Sequence, residues 1–198
     1  MIHILIRTCE RDDYISRLAK ESFKDIYPNA NITYLIEEGN YIYSNDCKQL
    51  IRPKADNFGG QLGVKALMES FRIYGNVNDN DIIIISDSDI IVKNNFLKYF
   101  NHDHGGTGGY VNNLLHISGQ MQILSSNFFN ILKTHDNNIV DKYYPELTSV
   151  ADDTYISLIS DKLKLKKILL DGWIHYKFYK YNGNINFKKI INEIKQIY

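Results

Sequence analysis

The sequence predicts an α/β fold, and three observations carry the prediction. Runs of β-branched and aromatic residues alternate with segments of helical apolar spacing through the first half of the chain. The run Ile82-Ile83-Ile84-Ile85 is apolar on both faces, as a strand inside a covered sheet must be. The segments between are short and rich in Asn, Asp, Gly and Pro.

Taken in order, Ile2-His3-Ile4-Leu5-Ile6 reads as a first strand. Asp12 or Asp13 is placed to cap a helix that carries Ile15, Leu18, Ala19, Ser22 and Phe23 at helical spacing. Tyr27-Pro28-Asn29 stops it, because proline lacks the N–H that a continuing helix needs. Ile32-Thr33-Tyr34-Leu35-Ile36 is a second strand. Residues 39–60 read as loop, punctuated by Gly39, Asn40, Asn45, Pro53, Asn57 and Gly59-Gly60. Leu62, Ala66, Leu67, Ser70 and Phe71 then share one helix face, and Asn76–Asn80 is a polar turn. Ile82–Ile85 is the third strand, expected at the centre of a parallel sheet.

The second half is less regular. Phe96–Phe100 reads as a short helix and Gly105–Gly109 as a glycine-rich turn. Met121–Leu124 reads as a strand, followed by a helix from Ser125 or Ser126 to Lys133. Asp152 is placed to cap a helix through Ile156 and Ile159. Lys167–Leu170 and Trp173–Tyr176 read as short strands, and Phe187–Ile197 as a last amphipathic helix.

Composition narrows the function classes. With 198 residues, 44% hydrophobic and 23% charged, the chain holds enough apolar material to offset the entropy of ordering, so it is not a disordered chain. No apolar run approaches the ~20 residues that cross a bilayer. Met1–Ile6, ended by Arg7, is too short for the core of a signal peptide. The expectation is a soluble, unprocessed protein. Cys9 and Cys47 are too few for a disulfide framework and read as reduced thiols. His102-Asp103-His104 and His135 lack a partner motif at ligand spacing, which argues against zinc. Net charge is zero but uneven: residues 1–161 hold 14 Lys/Arg against 21 Asp/Glu, whereas 162–198 hold 9 Lys against Asp171 and Glu193. That basic end suits either phosphates, anionic lipid or nucleic acid, or simply a solvated lysine face.

The segment richest in chemistry is Asp81-Ile82-Ile83-Ile84-Ile85-Ser86-Asp87-Ser88-Asp89. In open α/β sheets, ligands bind at the carboxyl ends of the strands. Residues two apart on an extended chain point the same way, so Asp87 and Asp89 are expected to face one ligand. Two like charges held together call for a cation, and hard oxygen donors favour Mg²⁺, Mn²⁺ or Ca²⁺ over Zn²⁺. The plainer reading is a polar turn that ends a strand.

This segment resembles the D-x-D motif of GT-A-fold glycosyltransferases, enzymes that use nucleotide-diphosphate sugars. The resemblance extends over most of the chain. Ile4–Arg11 is similar to that family's opening strand and nucleotide-binding loop. Asp56-Asn57-Phe58-Gly59-Gly60-Gln61 leads into a helix carrying Lys65. His116–Ser125 is similar to the glycine-containing strand that bears on donor sugar and acceptor. Ala151-Asp152-Asp153-Thr154-Tyr155-Ile156 is similar to the E-D-V-Y helix start of many inverting members, and His175 stands where several families place a histidine metal ligand.

The resemblance implies a GT-A-like, Rossmann-type sandwich with a mixed central sheet, spanning 1–198 as one domain. Within it, 1–92 is the nucleotide-binding half ending in the D-x-D, 93–170 the acceptor half and 171–198 a basic C-terminal segment. It implies transfer of a sugar, expected from a UDP-hexose, to a hydroxyl on a glycan, lipid-linked sugar, protein or modified nucleic-acid base. The cofactor implied is Mn²⁺ or Mg²⁺, held by Asp87, Asp89 and His175, with Asp89 the more direct ligand. Asp87 is assigned either to the ion through water or to the ribose. Arg7, Thr8, Arg11, Asn57, Gln61, Lys65, Asp87, Ser88, Gly119, Gln120 and Lys177 are the expected donor contacts. Arg7 is alternatively a partner for an acid at the sheet edge. Asp153 is the expected base if the transfer inverts configuration, with Asp152 as helix cap. The expected location is cytoplasmic, bacterial or in a host cell if viral, with attachment to a membrane surface left open by the lysine- and aromatic-rich end.

Rival readings leave traces in the sequence. A nucleotidyltransferase should open with a glycine-rich phosphate loop, and Thr8-Cys9-Glu10-Arg11 is not one. A haloacid-dehalogenase-type phosphatase carries its D-x-D near the N-terminus, whereas two strands precede this one. P-loop and dinucleotide fingerprints are absent. A non-catalytic sugar- or nucleotide-binding module of the same fold is the remaining alternative.

Overall fold

The computed structural model describes residues 1–39, 47–53, 61–111, 113–134 and 152–175. The strand Ile2–Thr8 (β1) is followed by a 3₁₀ turn at Glu10–Asp12 and the helix Asp13–Ile26 (α1). Tyr27 closes that helix, its N–H bonded to Phe23 O at 2.7 Å. Then come Asn31–Glu37 (β2), Lys48–Arg52 (β3), Gln61–Tyr74 (α2), Ile82–Asp87 (β4) and Ile90–Val92 (β5). A 3₁₀ turn at Phe96–Tyr99 leads to His104–Val111 (β6), Leu114–Ser125 (β7) and Ser126–Thr134 (α3). The last described elements are Asp152–Lys162 (α4), Lys167–Leu169 (β8) and Trp173–His175 (β9). The helix expected at Phe187–Ile197 lies outside the described residues.

Seven strands form one mixed sheet in the order β3-β2-β1-β4-β7-β6-β8, and β5 and β9 form a separate pair. Three expectations change. β4 does sit centrally, but it is parallel only to β1 and antiparallel to β7. The stretch 39–60 is not all loop, because Lys48–Arg52 adds a parallel edge strand to β2. Its sequence gives little sign of this: an edge strand needs backbone partners more than a strong apolar pattern. The glycines at 105–109 are not a turn but the middle of β6. Gly106 and Gly108 stand where the backbones of β6 and β7 approach closely. A Cβ on Gly106 would lie 2.5 Å from Met121 O, and one on Gly108 would fall inside the His116 carbonyl.

Two cores flank the sheet, sorted by the two-residue alternation of strands. Leu5, Leu35, Ile83, Ile85 and Leu124 face α2, α3 and α4 through Leu67, Phe71, Phe128 and Ile156. Ile4, Ile6, Tyr34, Ile84 and Ile123 face the other way, onto Ala19 and Phe23 of α1, Ile90 and Val92 of β5, and Phe96. The isoleucine run is thus covered on both sides, which is why it shows no alternation of its own.

Candidate functional site

The carboxyl ends of β1, β2, β3 and β4 share one rim. Register places charges on it in alternating sign. Arg52 pairs with Glu37 across β3 and β2, and Arg7 pairs with Asp87 across β1 and β4. Arg7 stands opposite Leu35, two residues before Glu37, so the four charges belong to the same face of the sheet, that of α2 and α4. The Arg7 guanidinium meets Asp87 Oδ1 at 2.7 Å. Arg7 is thus ion-paired with an acid at the carboxyl end of the central strand β4.

Beyond Asp87 the chain leaves the sheet. Ser88 and Asp89 form a turn rather than continuing extended. β5 then runs under α1, where Val92 N–H donates to Ser22 Oγ at 3.0 Å. The two-residue alternation expected to align Asp87 with Asp89 therefore ends at Asp87. Ser88 is buried, and its Oγ lies 3.5 Å from Asp12 Oδ2 in the 3₁₀ turn before α1. Asp12 also accepts from the Cys9 thiol at 3.4 Å, so the start of α1 is tied to the D-S-D turn.

Asp89 meets His175. β9 pairs antiparallel with β5, and the register sets His175 opposite Ile90. His175 Nε2 then lies 2.8 Å from Asp89 Oδ2, each side chain about a quarter exposed. The pairing is anchored by Trp173, whose ring meets Phe96 edge-on at 5.0 Å between centroids. Sequence reasoning found the His175 strand but not its partner. The triplet Ile90-Ile91-Val92 was the available signal.

β7 supplies the fourth side of the rim. Its ladder with β6 slips, since Gly106 faces Gln122 whereas Gly108 faces Ile117. The extra residues, 118–121, include Gly119 and Gln120, and Met121 pairs with Ser86 near the end of β4. α4 packs on this strand, with Ile117 N–H donating to Ser157 Oγ at 3.2 Å. Asp153 lies one turn earlier on the same helix face as Ser157. Asp153 Oδ1 accepts from Thr154 N–H at 2.7 Å, in the first turn of α4.

Of the remaining sequence-predicted residues, Thr8 is buried at the end of β1. Arg11 lies in the 3₁₀ turn and Gln61 opens α2, their side chains being outside the described set. Lys65 is half-buried in α2. Asn57 and Lys177 lie outside the described residues, as does His135. His104 is fully buried, bonded to Gln122 Oε1 at 3.2 Å. Burial, with the charges of Lys167 and His116 against a weaker opposing bond from Gln122, pushes its pKa down to about 3. It is a neutral core residue.

Among the described residues, no group of three His, Cys, Asp or Glu converges as a ready-made cation site. Asp89 and His175 do fit two positions of one. Neighbouring donors on an octahedron of radius ~2.1 Å are about 3 Å apart. A carboxylate with an imidazole suits Mn²⁺, and an ion of this class keeps its other positions for water and phosphate oxygens.

Comparison with known proteins bears on the fold. No family model matches the chain, and no curated protein does. Among solved structures, the chain is similar to galactosyltransferase LgtC in complex with donor and acceptor sugar analogues. The TM-score is 0.51 at 11% identity, over 79% of this chain and 70% of that one. A second LgtC structure, of an active-site mutant, gives a TM-score of 0.52 at 11% identity, over 79% and 69%. The mixed sheet with its flanking helices is therefore a GT-A-like glycosyltransferase fold. Among the described residues, no helix is long and apolar enough to cross a membrane.

Proposed function

We propose that this chain is a glycosyltransferase that moves a sugar from a nucleotide-diphosphate donor to a hydroxyl acceptor. The observation that carries the reading is the meeting of Asp89 and His175 at the carboxyl end of the central strand, in a fold shared with a galactosyltransferase. A small β-pair closes an 86-residue separation to bring these two side chains together.

In this reading Asp89 and His175 hold Mn²⁺ or Mg²⁺, which when bound offsets the negative charge that builds on the departing diphosphate. Arg7 and Asp87 present a hydrogen-bonding rim to the nucleoside, with Thr8, Ser88 and the Cys9–Asp12 turn as its wall. The residues 118–121 shape the sugar end through Gly119 and Gln120. Lys65, Arg11, Gln61, Asn57 and Lys177 complete the donor contacts assigned from sequence. Asp153, on the α4 face that meets β7, serves as the base for the acceptor hydroxyl in a transfer with inversion. The donor proposed is a UDP-hexose, and the acceptor is a surface glycan, lipid-linked sugar, protein or modified base.

The test is release of nucleoside diphosphate from a panel of sugar donors, with Mn²⁺ or with chelator, and with mixed acceptors. UDP release that needs the metal and falls at least about 100-fold in Asp89→Asn is the expected result. Tight donor binding without turnover across the panel would turn the assignment to a binding module. Pyrophosphate released from a nucleoside triphosphate supplied with a sugar 1-phosphate would turn it to a nucleotidyltransferase. The anomeric configuration of the product, read by NMR, decides between inversion and retention.

A further inference from the structure

The amino end of the sheet carries a second concave surface, at the far end of the strands from the rim that holds Asp89 and His175. It is a cleft of about 460 Å³ where four elements meet. Lys24 comes from the last turn of α1, Thr33 from β2, Lys48 from the start of β3 and Tyr74 from the end of α2. Its volume lies within the range of about 300–1,000 Å³ that small-molecule sites span. On β2, Thr33 at the cleft and Glu37 at the rim stand roughly 13 Å apart at ~3.3 Å per residue, so the two are separate places.

Charge sets what this cleft can hold. Of the residues that line it, two carry ammonium groups and none a carboxylate. Neither Lys24 nor Lys48 has a carboxylate partner among the described residues. Lys48 Nζ instead lies over the Tyr74 ring, 5.3 Å from its centroid, which holds the ammonium against the wall of the cleft. Asp81, the buried acid at this end of the sheet, is already engaged by the Met1 amine and His3. Tyr74 stays neutral, because burial, against a hydrogen bond from Thr33 and with Asp81's charge in support, raises the pKa of its phenol. α1 and α2 both end here, and each helix end contributes about half a negative charge, which two full positive charges outweigh. Ala30 and Ile32 give the cleft a less polar side.

We infer that this cleft binds a small phosphate monoester, with its phosphate between Lys24 and Lys48 and its organic body against Ala30 and Ile32. A phosphate monoester carries about two negative charges near pH 7, matching the two ammonium groups. Lysine suits it, since a point charge can meet any of the phosphate oxygens without the fixed fork of a guanidinium. The site does not depend on what the rim at the other end of the strands does.

The test is titration of the full chain with ribose 5-phosphate, inorganic phosphate or ribose at fixed ionic strength, followed by ¹H–¹⁵N NMR. Ribose 5-phosphate should give saturable shifts at the amides of residues 30–33 and 47–48 and leave those of 87–89 in place. Inorganic phosphate should move the same amides with weaker affinity, and ribose should move none. Lys24 and Lys48 are exposed, so Lys24→Gln and Lys48→Gln should keep the melting temperature. Each should weaken ribose 5-phosphate about threefold or more, and the double variant about tenfold or more. Ribose 5-phosphate should also slow alkylation of Cys47, which lines the cleft, and leave Cys9 unchanged, read by mass spectrometry. Shifts confined to residues 87–89, shifts that never saturate, ribose binding as tightly as its phosphate, or an unchanged affinity in the folded double variant each overturn the inference. Inorganic phosphate binding as tightly as the ester assigns the cleft to the free anion and overturns the monoester.

Discussion

Asp81 offers the sharpest quantitative test of how the sheet is held. It is buried just before β4, at the amino end of that central strand and so at the end of the sheet away from the site. Its Oδ1 meets the Met1 amine at 2.5 Å, and its Oδ2 accepts from Asn78 N–H at 2.9 Å and meets His3 Nε2 at 3.0 Å. Burial by itself would raise the carboxyl's pKa. The amine, the Asn78 N–H and His3 together outweigh it and bring the group from 3.8 down to about 2. A pKa lower in the folded than in the unfolded chain means that the unfolded chain takes up the proton first as the medium acidifies. The stabilisation is therefore complete above about pH 4 and is lost as pH falls toward 2. At 1.36 kcal/mol per unit, the shift corresponds to about 2 kcal/mol, or roughly 5 °C of melting temperature for a chain of this size. Asp81→Asn keeps the shape and removes the charge, so it should lose at least that much at pH 7. The assay is urea unfolding of both proteins from pH 7 to pH 2.5. Their difference should shrink on the acid side and nowhere else. A difference below about 0.5 kcal/mol at pH 7, or one that stays flat down to pH 2.5, refutes the reasoning.

Three further outcomes follow from other parts of the molecule. Gly108→Ala should cost roughly 1–3 kcal/mol, because its Cβ would enter the His116 carbonyl, whereas Gly109→Ala, with nothing near its Cβ, should be close to neutral in a melting curve. His104→Gln should flatten the acid side of the stability profile between pH 6.5 and 4: the histidine stays neutral in the fold with its pKa near 3, so the unfolded chain protonates first and wild-type stability falls there. The two thiols report opposite ends of the sheet, Cys9 beside Asp12 at the proposed donor rim and Cys47 in a cleft of about 460 Å³ with Lys24, Lys48 and Tyr74. UDP with Mn²⁺ should slow alkylation of Cys9 and leave Cys47 unchanged, read by mass spectrometry; equal slowing, or none at Cys9, argues against the donor rim.

Much of this molecule is legible in its sequence. Ile82–Ile85 could only be a covered strand, since four isoleucines in a row have no polar face to turn to water. Ile15, Leu18 and Phe23 fix a helix by their spacing, and the seam from Met121 to Lys133 reads as strand then helix. These are local facts, in which a residue and its near neighbours carry the whole signal. What escaped was whatever depends on a distant partner. β3 is a strand because β2 lends it hydrogen bonds, not because Lys48–Arg52 demands it. The glycines of β6 read as a turn, since nothing local announces the backbone of β7 that presses on Gly106 and Gly108.

The site divides along the same line. Residue order alone says that acids stand at the mouth of a buried strand, with a histidine and an arginine among the candidates to serve them. The pairing of Arg7 with Asp87 and of His175 with Asp89 comes from the packed sheet. The reason is geometric. A strand's alternation fixes side-chain direction only while the chain stays extended, and at Ser88 it turns. From there, the direction of each carboxylate is set by which strand lies alongside, and strand adjacency is a property of the packed sheet rather than of residue order.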